Sequence, residues 1–387
     1  MKKTFKVIGW VLRIVLIVLI LIFSVATFMG GSYLQTALLW LAVIFVFWWP
    51  KFLTFRKGKG WTPVLRVVVV LILLATNFTL FAPGPKTSIY LSNAHEERLM
   101  KVYDARMAQW PADTESIFLD TDWGKVHVLS CGDSTNPPLV MIHAASMAAH
   151  SWADNLAPLL PFFRIYAIDN IGEGNRSQLQ DAEKFPVDGR AIADLYAGIL
   201  SQLGVERAPV LGASNGGYIA QTLAYHYPKK VKCLALFGPM GLTPLTSGSV
   251  MMLSIATMYP FQFVRDWVTK WALGADPYTR RVFRDWFDAI LKGTMPSVAM
   301  PKPMTIEQKK AMNMPVLLFL GIRDPIVGDA AVAAETARQY PNIEIIILDS
   351  GHIVAVEHRD KVNAKLMEFL RGHDCLSAPP PLEESPK

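Results

Sequence analysis

Along the 387 residues the apolar positions fall into three regimes. The first is unbroken. From Ile14 to Pro50, 37 consecutive residues carry no charge, while one helix needs only about 20 to cross a bilayer core. Gly30-Gly31-Ser32 interrupts the run, which predicts two spans over 7–29 and 33–49. A third apolar stretch runs from Val67 to Phe81. With Arg66 snorkelling at its edge it predicts a span over 64–82. Residues 1–85 thus read as a membrane module.

The second regime begins after a linker, "APGPKTS", and a segment over 89–110 that reads as a helix with one polar face, so that 86–115 forms a linker and neck. From Ser116 onward, short apolar runs of strand length alternate with helical patterns. Residues 116–130 read as two strands around Asp122-Trp123-Gly124. Further strands are expected over 139–142, 163–169, 209–214, 231–237, 315–321 and 343–349. Helical periodicity covers 191–204, 215–227, 329–340 and 358–371. Strands that are apolar throughout, separated by helices, predict an α/β fold: a mostly parallel sheet with helices on both faces. The third regime interrupts this alternation. Between Phe237 and Pro315 no strand pattern occurs, and helical patterns over 248–259, 261–273 and 276–292 predict an inserted helical cap, 241–312. It is rich in Met and aromatic residues, most of which are expected to pack the cap onto the sheet. The soluble domain is expected to span 116–373, and the Pro-rich 374–387 to be a disordered tail.

Charge sharpens the membrane reading. The chain has 38 Lys/Arg, of which nine lie in residues 1–85 with no Asp or Glu; the remaining 29 face 32 acidic residues in the rest. The basicity belongs to the membrane module, and the soluble part has no basic stripe with interleaved aromatics, which argues against nucleic acid as a partner. Lys2, Lys3 and Lys6 place the N-terminus in the cytoplasm, as does the loop with Lys51, Arg56, Lys57 and Lys59 for its side. Three spans then put the domain outside the cytoplasm. Cys131, Cys233 and Cys375 show no metal-ligand spacing, and an odd count is a poor disulfide framework. Cys233, in "VKCLALF", reads as a small buried hydrophobe. No metal and no cofactor are implied.

The chemistry centres on Gly212-Ala213-Ser214-Asn215-Gly216, between an expected strand and an expected helix. A serine on such a sharp turn, flanked by small residues, is placed as a nucleophile above a helix N-terminus. It needs a base, and the base an orienting acid, in the chain order Ser, acid, His. His352 lies in the loop after the last expected strand, at the sheet edge that carries Ser214. Asp324, just past the strand over 315–321, is favoured as the acid over Asp349, which stands too near His352 in sequence. Asp169 reads as a structural hydrogen-bonding residue. Two backbone N–H groups are expected to hold an oxyanion: that of Asn215, and that of Ala145 in the loop "HAASMAAHSW".

These motifs, with the segment "IDNIGEGNRS", resemble the α/β-hydrolase superfamily over about 116–371. Within it, "YDARMAQWP", "GKVHVLSCGDSTNPPLVMIH" and "HSW…YAIDNIGEGNRS" resemble bacterial carboxylesterases of the naproxen-esterase type. The resemblance implies Ser214, Asp324 and His352 as a catalytic triad under a helical lid. One departure is His143-Ala144, where the family has His-Gly. Ala lacks glycine's backbone freedom, so the loop is expected to differ in shape. The expected function is a membrane-anchored serine hydrolase acting on hydrophobic or lipid esters through an acyl-enzyme. The alternatives are another reaction of the same triad (peptidase, C–C hydrolase, perhydrolase) and a non-catalytic membrane-bound binding or sensor protein on the same fold.

Overall fold

Among the described residues between 115 and 348 the apolar runs condense into one sheet of nine strands. The computed structural model describes residues 89–180, 185, 188–244, 262–294 and 301–376. These belong mainly to the larger of two compact units, Lys86–Thr257 with Arg265–Lys387. The strands are β1 (Glu115–Thr121), β2 (Gly124–Cys131), β3 (Pro138–Ile142), β4 (Arg164–Ile168), β5 (Gln178–Leu179), β6 (Ala208–Ala213), β7 (Val231–Phe237), β8 (Val316–Gly321) and β9 (Ile343–Leu348). Their spatial order is β1-β2-β4-β3-β6-β7-β8-β9, with β5 beside β2. The pairs from β4 through β3 to β9 are all parallel, and β1, β2 and β5 form an antiparallel edge.

Two apolar layers sandwich the sheet, and strand residues feed them alternately, as a period of two requires. Leu139, Met141, Leu211, Ala235, Phe237, Leu317 and Phe319 face one layer. Val140, Ile142, Val210, Leu234, Leu236, Val316, Leu318 and Leu320 face the other. The main helices are α1 (Asn93–Met107), α2 (Gly189–Gln202), α3 (Asn215–His226), α4 (Gln262–Leu273), α5 (Pro277–Gly293), α6 (Ala330–Ala337) and α7 (Arg359–Gly372). The second layer is covered by α2, α3 and α6, the first by α1, α5 and α7. Helix α5 begins at an Asp276 cap that accepts the Thr279 N–H, with Pro277 at the first helical position. With α4 it supplies the described part of the expected cap.

The structure differs from the sequence reading in three places. The segment expected as a neck is instead part of the fold: Leu99 and Tyr103 of α1 are fully buried, because its few apolar residues share one face and meet α5. The expected tail begins too early: Cys375 is buried, and the described chain runs to Leu376. Cys233 is buried as expected, but it is joined to Cys375 in a disulfide across 142 residues, so the odd count hid one pair and one buried free thiol, Cys131. The three expected membrane spans, the first cap helix over 248–259 and residues 377–387 lie outside the described residues. Among the described residues no helix is long and apolar enough to cross a membrane, and no group of three or more His, Cys, Asp or Glu is placed to hold a metal.

Candidate active site

Ser214 sits between β6 and α3 with φ 49° and ψ −115°. A positive φ is costly for a residue with a side chain and persists only where the surroundings enforce it. Here they do. The Ser214 N–H donates to Phe237 O at 3.0 Å, and Ser214 O accepts from Met240 N at 2.9 Å and Tyr218 N at 3.2 Å. The turn also requires glycine at two places. A Cβ on Gly216 would lie 2.3 Å from Ile142 O, and one on Gly212 2.5 Å from Gly216 O.

His352 and Asp324 arrive from loops after β9 and β8 at the same sheet edge. His352 Nε2 lies 2.8 Å from Ser214 Oγ, and His352 Nδ1 lies 2.8 Å from Asp324 Oδ2. The other oxygen, Asp324 Oδ1, accepts from the backbone N–H groups of Ile326 at 2.8 Å and Val327 at 3.0 Å. These bonds use the carboxylate as an acceptor, so Nδ1 carries the ring proton and Nε2 is left to accept from the serine hydroxyl. All three residues are buried. Asp349 is directed elsewhere: it pairs with Arg323 on the surface. Sequence reasoning passed over Gly238, which has φ 49°; a Cβ there would come within 3.2 Å of Asp324 Oδ2 and 3.4 Å of His352 Nδ1. It leaves the space in which acid and base meet.

Asn215 is the first residue of α3, one position beyond Ser214. The loop after β3 presents Ala144 and Met147 to the cavity beside Ser214, and Ala145, partly buried, follows Ala144 on that loop. Its shape is held by a buried network that the sequence did not announce. His143 is fully buried, which holds its pKa below the ordinary value and keeps the ring neutral. Its Nδ1 lies 2.8 Å from Ala144 O, and its Nε2 accepts from the Asn170 N–H at 2.9 Å. Ser146 adopts φ 60°. Its N–H donates to Glu173 Oε2, and its carbonyl accepts from Trp286 Nε1 of α5 at 2.9 Å. Asn170 Nδ2 donates to Glu173 Oε1 at 3.2 Å. Burial pushes Glu173 up to about 8, against these hydrogen bonds, which lower it. Asp169 is structural: its carboxylate accepts from Tyr103 Oη at 2.9 Å and Ala149 N at 2.7 Å, and meets His127 Nδ1 at 2.7 Å. A charged residue between two glycines, Gly172-Glu173-Gly174, was the available signal for Glu173.

Comparison with known proteins agrees with this topology. A family model for the alpha/beta hydrolase fold matches residues 137–283. The chain has the α/β-hydrolase fold. The uncharacterized carboxylesterase nap of Bacillus subtilis is 24% identical over 286 residues, covering 72% of this chain and 94% of that protein. Among solved structures, the carboxylesterase CesB (YbfK) of the same organism superposes with a TM-score of 0.66 at 23% identity, over 72% of this chain and 99% of that one. Naproxen esterase (carboxylesterase NP), also from B. subtilis, gives 0.66 at 24%, over 71% and 98%. These three similar proteins are named carboxylesterases, and the fold of this chain is consistent with a carboxylic-ester hydrolase.

Proposed function

We propose that the protein hydrolyses carboxylic esters through an acyl-enzyme on Ser214. The observation that carries this reading is the continuous chain of hydrogen bonds from Ser214 Oγ through His352 to Asp324. It gives the serine a base and gives the base an orienting acid. Ser214 Oγ attacks the ester carbonyl while its proton passes to His352 Nε2. The developing oxyanion is received by the N–H groups of Asn215 and Ala145. Collapse breaks the bond to the alkoxy group, which leaves as an alcohol with the proton from His352. Water, deprotonated by the same nitrogen, then attacks the acyl-enzyme and releases the acid. Asp324 stays ionised and stabilises the imidazolium. The non-catalytic reading leaves the strained serine without a purpose. The carboxylesterase relatives favour esters over the other leaving groups this triad can serve.

The reading extends to location. The three spans over 7–29, 33–49 and 64–82 would anchor the chain in a bilayer, with the catalytic domain outside the cytoplasm. Charge distribution supports this orientation, and so does the Cys233–Cys375 disulfide, since such bonds persist in oxidising compartments.

The test is turnover of simple alkyl and aryl esters by the full-length chain, followed by proton release. The proposal predicts saturable hydrolysis with a burst of alcohol or phenol release. Absence of hydrolysis across acyl lengths from two to twelve carbons would refute it. Protease treatment of intact cells tests the orientation: a domain that stays protected contradicts it.

A further inference from the structure

One imidazole ring has to meet two partners at once. His352 Nε2 lies 2.8 Å from Ser214 Oγ, and Nδ1 lies 2.8 Å from Asp324 Oδ2. A ring displaced by about 1 Å would lose one of them, and such a misplacement costs up to about 100-fold in rate. Yet among the described residues the backbone of His352 itself makes no hydrogen bond. Its neighbours hold it. Two residues before the base, Ser350 O accepts from the Arg323 N–H at 2.9 Å.

The two residues that flank His352 are both held by Glu357, the last residue of a short helix, Val354–Glu357. Its N–H donates to Ile353 O at 3.0 Å, one residue after the base. Its Oε2 accepts from the Gly351 N–H at 3.0 Å, one residue before the base. The side chain therefore folds back along the chain and brackets His352. The other oxygen, Oε1, is buried and has no hydrogen-bond partner among the described residues. Two glycines hem it in: a Cβ on Gly351 or on Gly274 would lie 2.8 Å from Oε1. Gly274 follows α4 in the turn to α5 and has φ 71°. Its carbonyl accepts from Arg280 Nε of α5 at 2.7 Å, which ties the turn to the cap. The turn and the loop of the base also touch directly, since a Cβ on Gly351 would lie 3.5 Å from Gly274 Cα. A positive φ and the lack of room make glycine the residue that fits at 274. On this side the carboxyl group is held by contact alone, and that contact comes from the cap.

We propose that Glu357 is a positioning residue for the base, and that through it the α4–α5 turn of the cap sets the placement of His352. The inference rests on the reading of Ser214 and His352 as the nucleophile and base of an esterase. Glu357 does not line the cavity beside Ser214; it acts through His352. With the turn seated, Oε2 stays on the Gly351 N–H and the imidazole stands between serine and acid. With the turn displaced, Oε1 gains room, the carboxyl group swings off Gly351, and the base loses one of its two brackets.

The experiment is steady-state hydrolysis of 4-nitrophenyl butanoate by the full-length protein and its variants. In Glu357→Ala, kcat is expected to fall about 10- to 100-fold with KM changed by less than about threefold. Glu357→Gln keeps an oxygen for the Gly351 N–H and is expected to restore kcat to within about threefold of the wild type. A purely structural role would lower the thermal midpoint without this split and this rescue. Gly274→Ala sets a methyl group against Oε1 and is expected to lower kcat as well. The double variant should then lose no more than Glu357→Ala alone, because both changes break one contact. If Glu357→Ala does not fold, Glu357→Asp, one methylene short of the Gly351 N–H, takes its place. If Gly274→Ala does not fold, Arg280→Gln, which frees the Gly274 carbonyl, takes its place. An unchanged kcat, a rise in KM alone, a Gln variant as slow as Ala, or losses that add in the double variant each overturn this proposal and leave the esterase reading standing. No turnover by the wild type overturns both.

Discussion

The strain at Ser214 and the bonds around it set the expectations at the residue scale. Replacing Ser214 or His352 by Ala should lower kcat by about 10⁴–10⁶-fold, and Asp324→Ala somewhat less, since the triad acts as a unit. Asp349→Ala should change kcat by less than about threefold, because that carboxylate is held by Arg323 on the surface. Steady-state ester kinetics decide both; equal loss in the two aspartate variants would move the acid. Glu173 makes a different prediction. Its pKa rises from the ordinary 4.5 to about 8 on folding, so the folded state holds a proton that the unfolded chain has released. That contribution to stability is complete below about pH 4.5 and is lost as pH rises to about 8, at about 1.4 kcal/mol per pH unit. Urea denaturation should therefore show the midpoint falling between pH 5 and 8 in the wild type and a flatter profile in Glu173→Gln; parallel profiles would contradict the assignment. That Ser214, His352 and Asp324 meet was legible in sequence, because a motif, a chain order and strand ends locate them together. Glu173 and Gly238 were not, because what matters about them is burial and partners brought by distant segments.

At the scale of elements, strands declared themselves because strands buried on both faces must be apolar throughout. Helix α1 did not. Its composition is polar, and only its packing against α5 makes it part of the domain. Helix α5 does more than cover the sheet. Trp286 is fully buried and its indole N–H holds the Ser146 carbonyl from above, while Glu173 holds the Ser146 N–H from the other side. The left-handed Ser146 is thus pinned between the cap and the loop after β4, on the segment that carries Ala145. Trp286→Phe keeps most of the apolar contact and removes one hydrogen bond, worth about 1 kcal/mol net. The expected outcome is a fall in kcat of severalfold with KM little changed and the thermal midpoint lower by only a few degrees. A rise in KM alone would place the effect in substrate binding and not in the oxyanion loop.

For the whole molecule, the disulfide ties the end of the chain to a central strand. Cys233 lies on β7 and Cys375 follows α7. A pairing across 142 residues could not be read from spacing, and the third cysteine, Cys131, masked it by making the count odd. If the catalytic domain lies outside the cytoplasm, alkylation of denatured protein from native membranes should modify one thiol before reduction and three after. Three modified thiols without reduction would contradict the oxidised pair and the placement with it.

The proposed function makes Ser214 an activated nucleophile, which covalent labelling probes without recourse to a particular substrate. Membranes carrying the full-length chain are treated with a fluorophosphonate, and the labelled peptide is located by mass spectrometry. One adduct is expected, on Ser214, absent in Ser214→Ala and strongly slowed in His352→Ala. An unlabelled wild type, or an adduct that persists in Ser214→Ala, would contradict it.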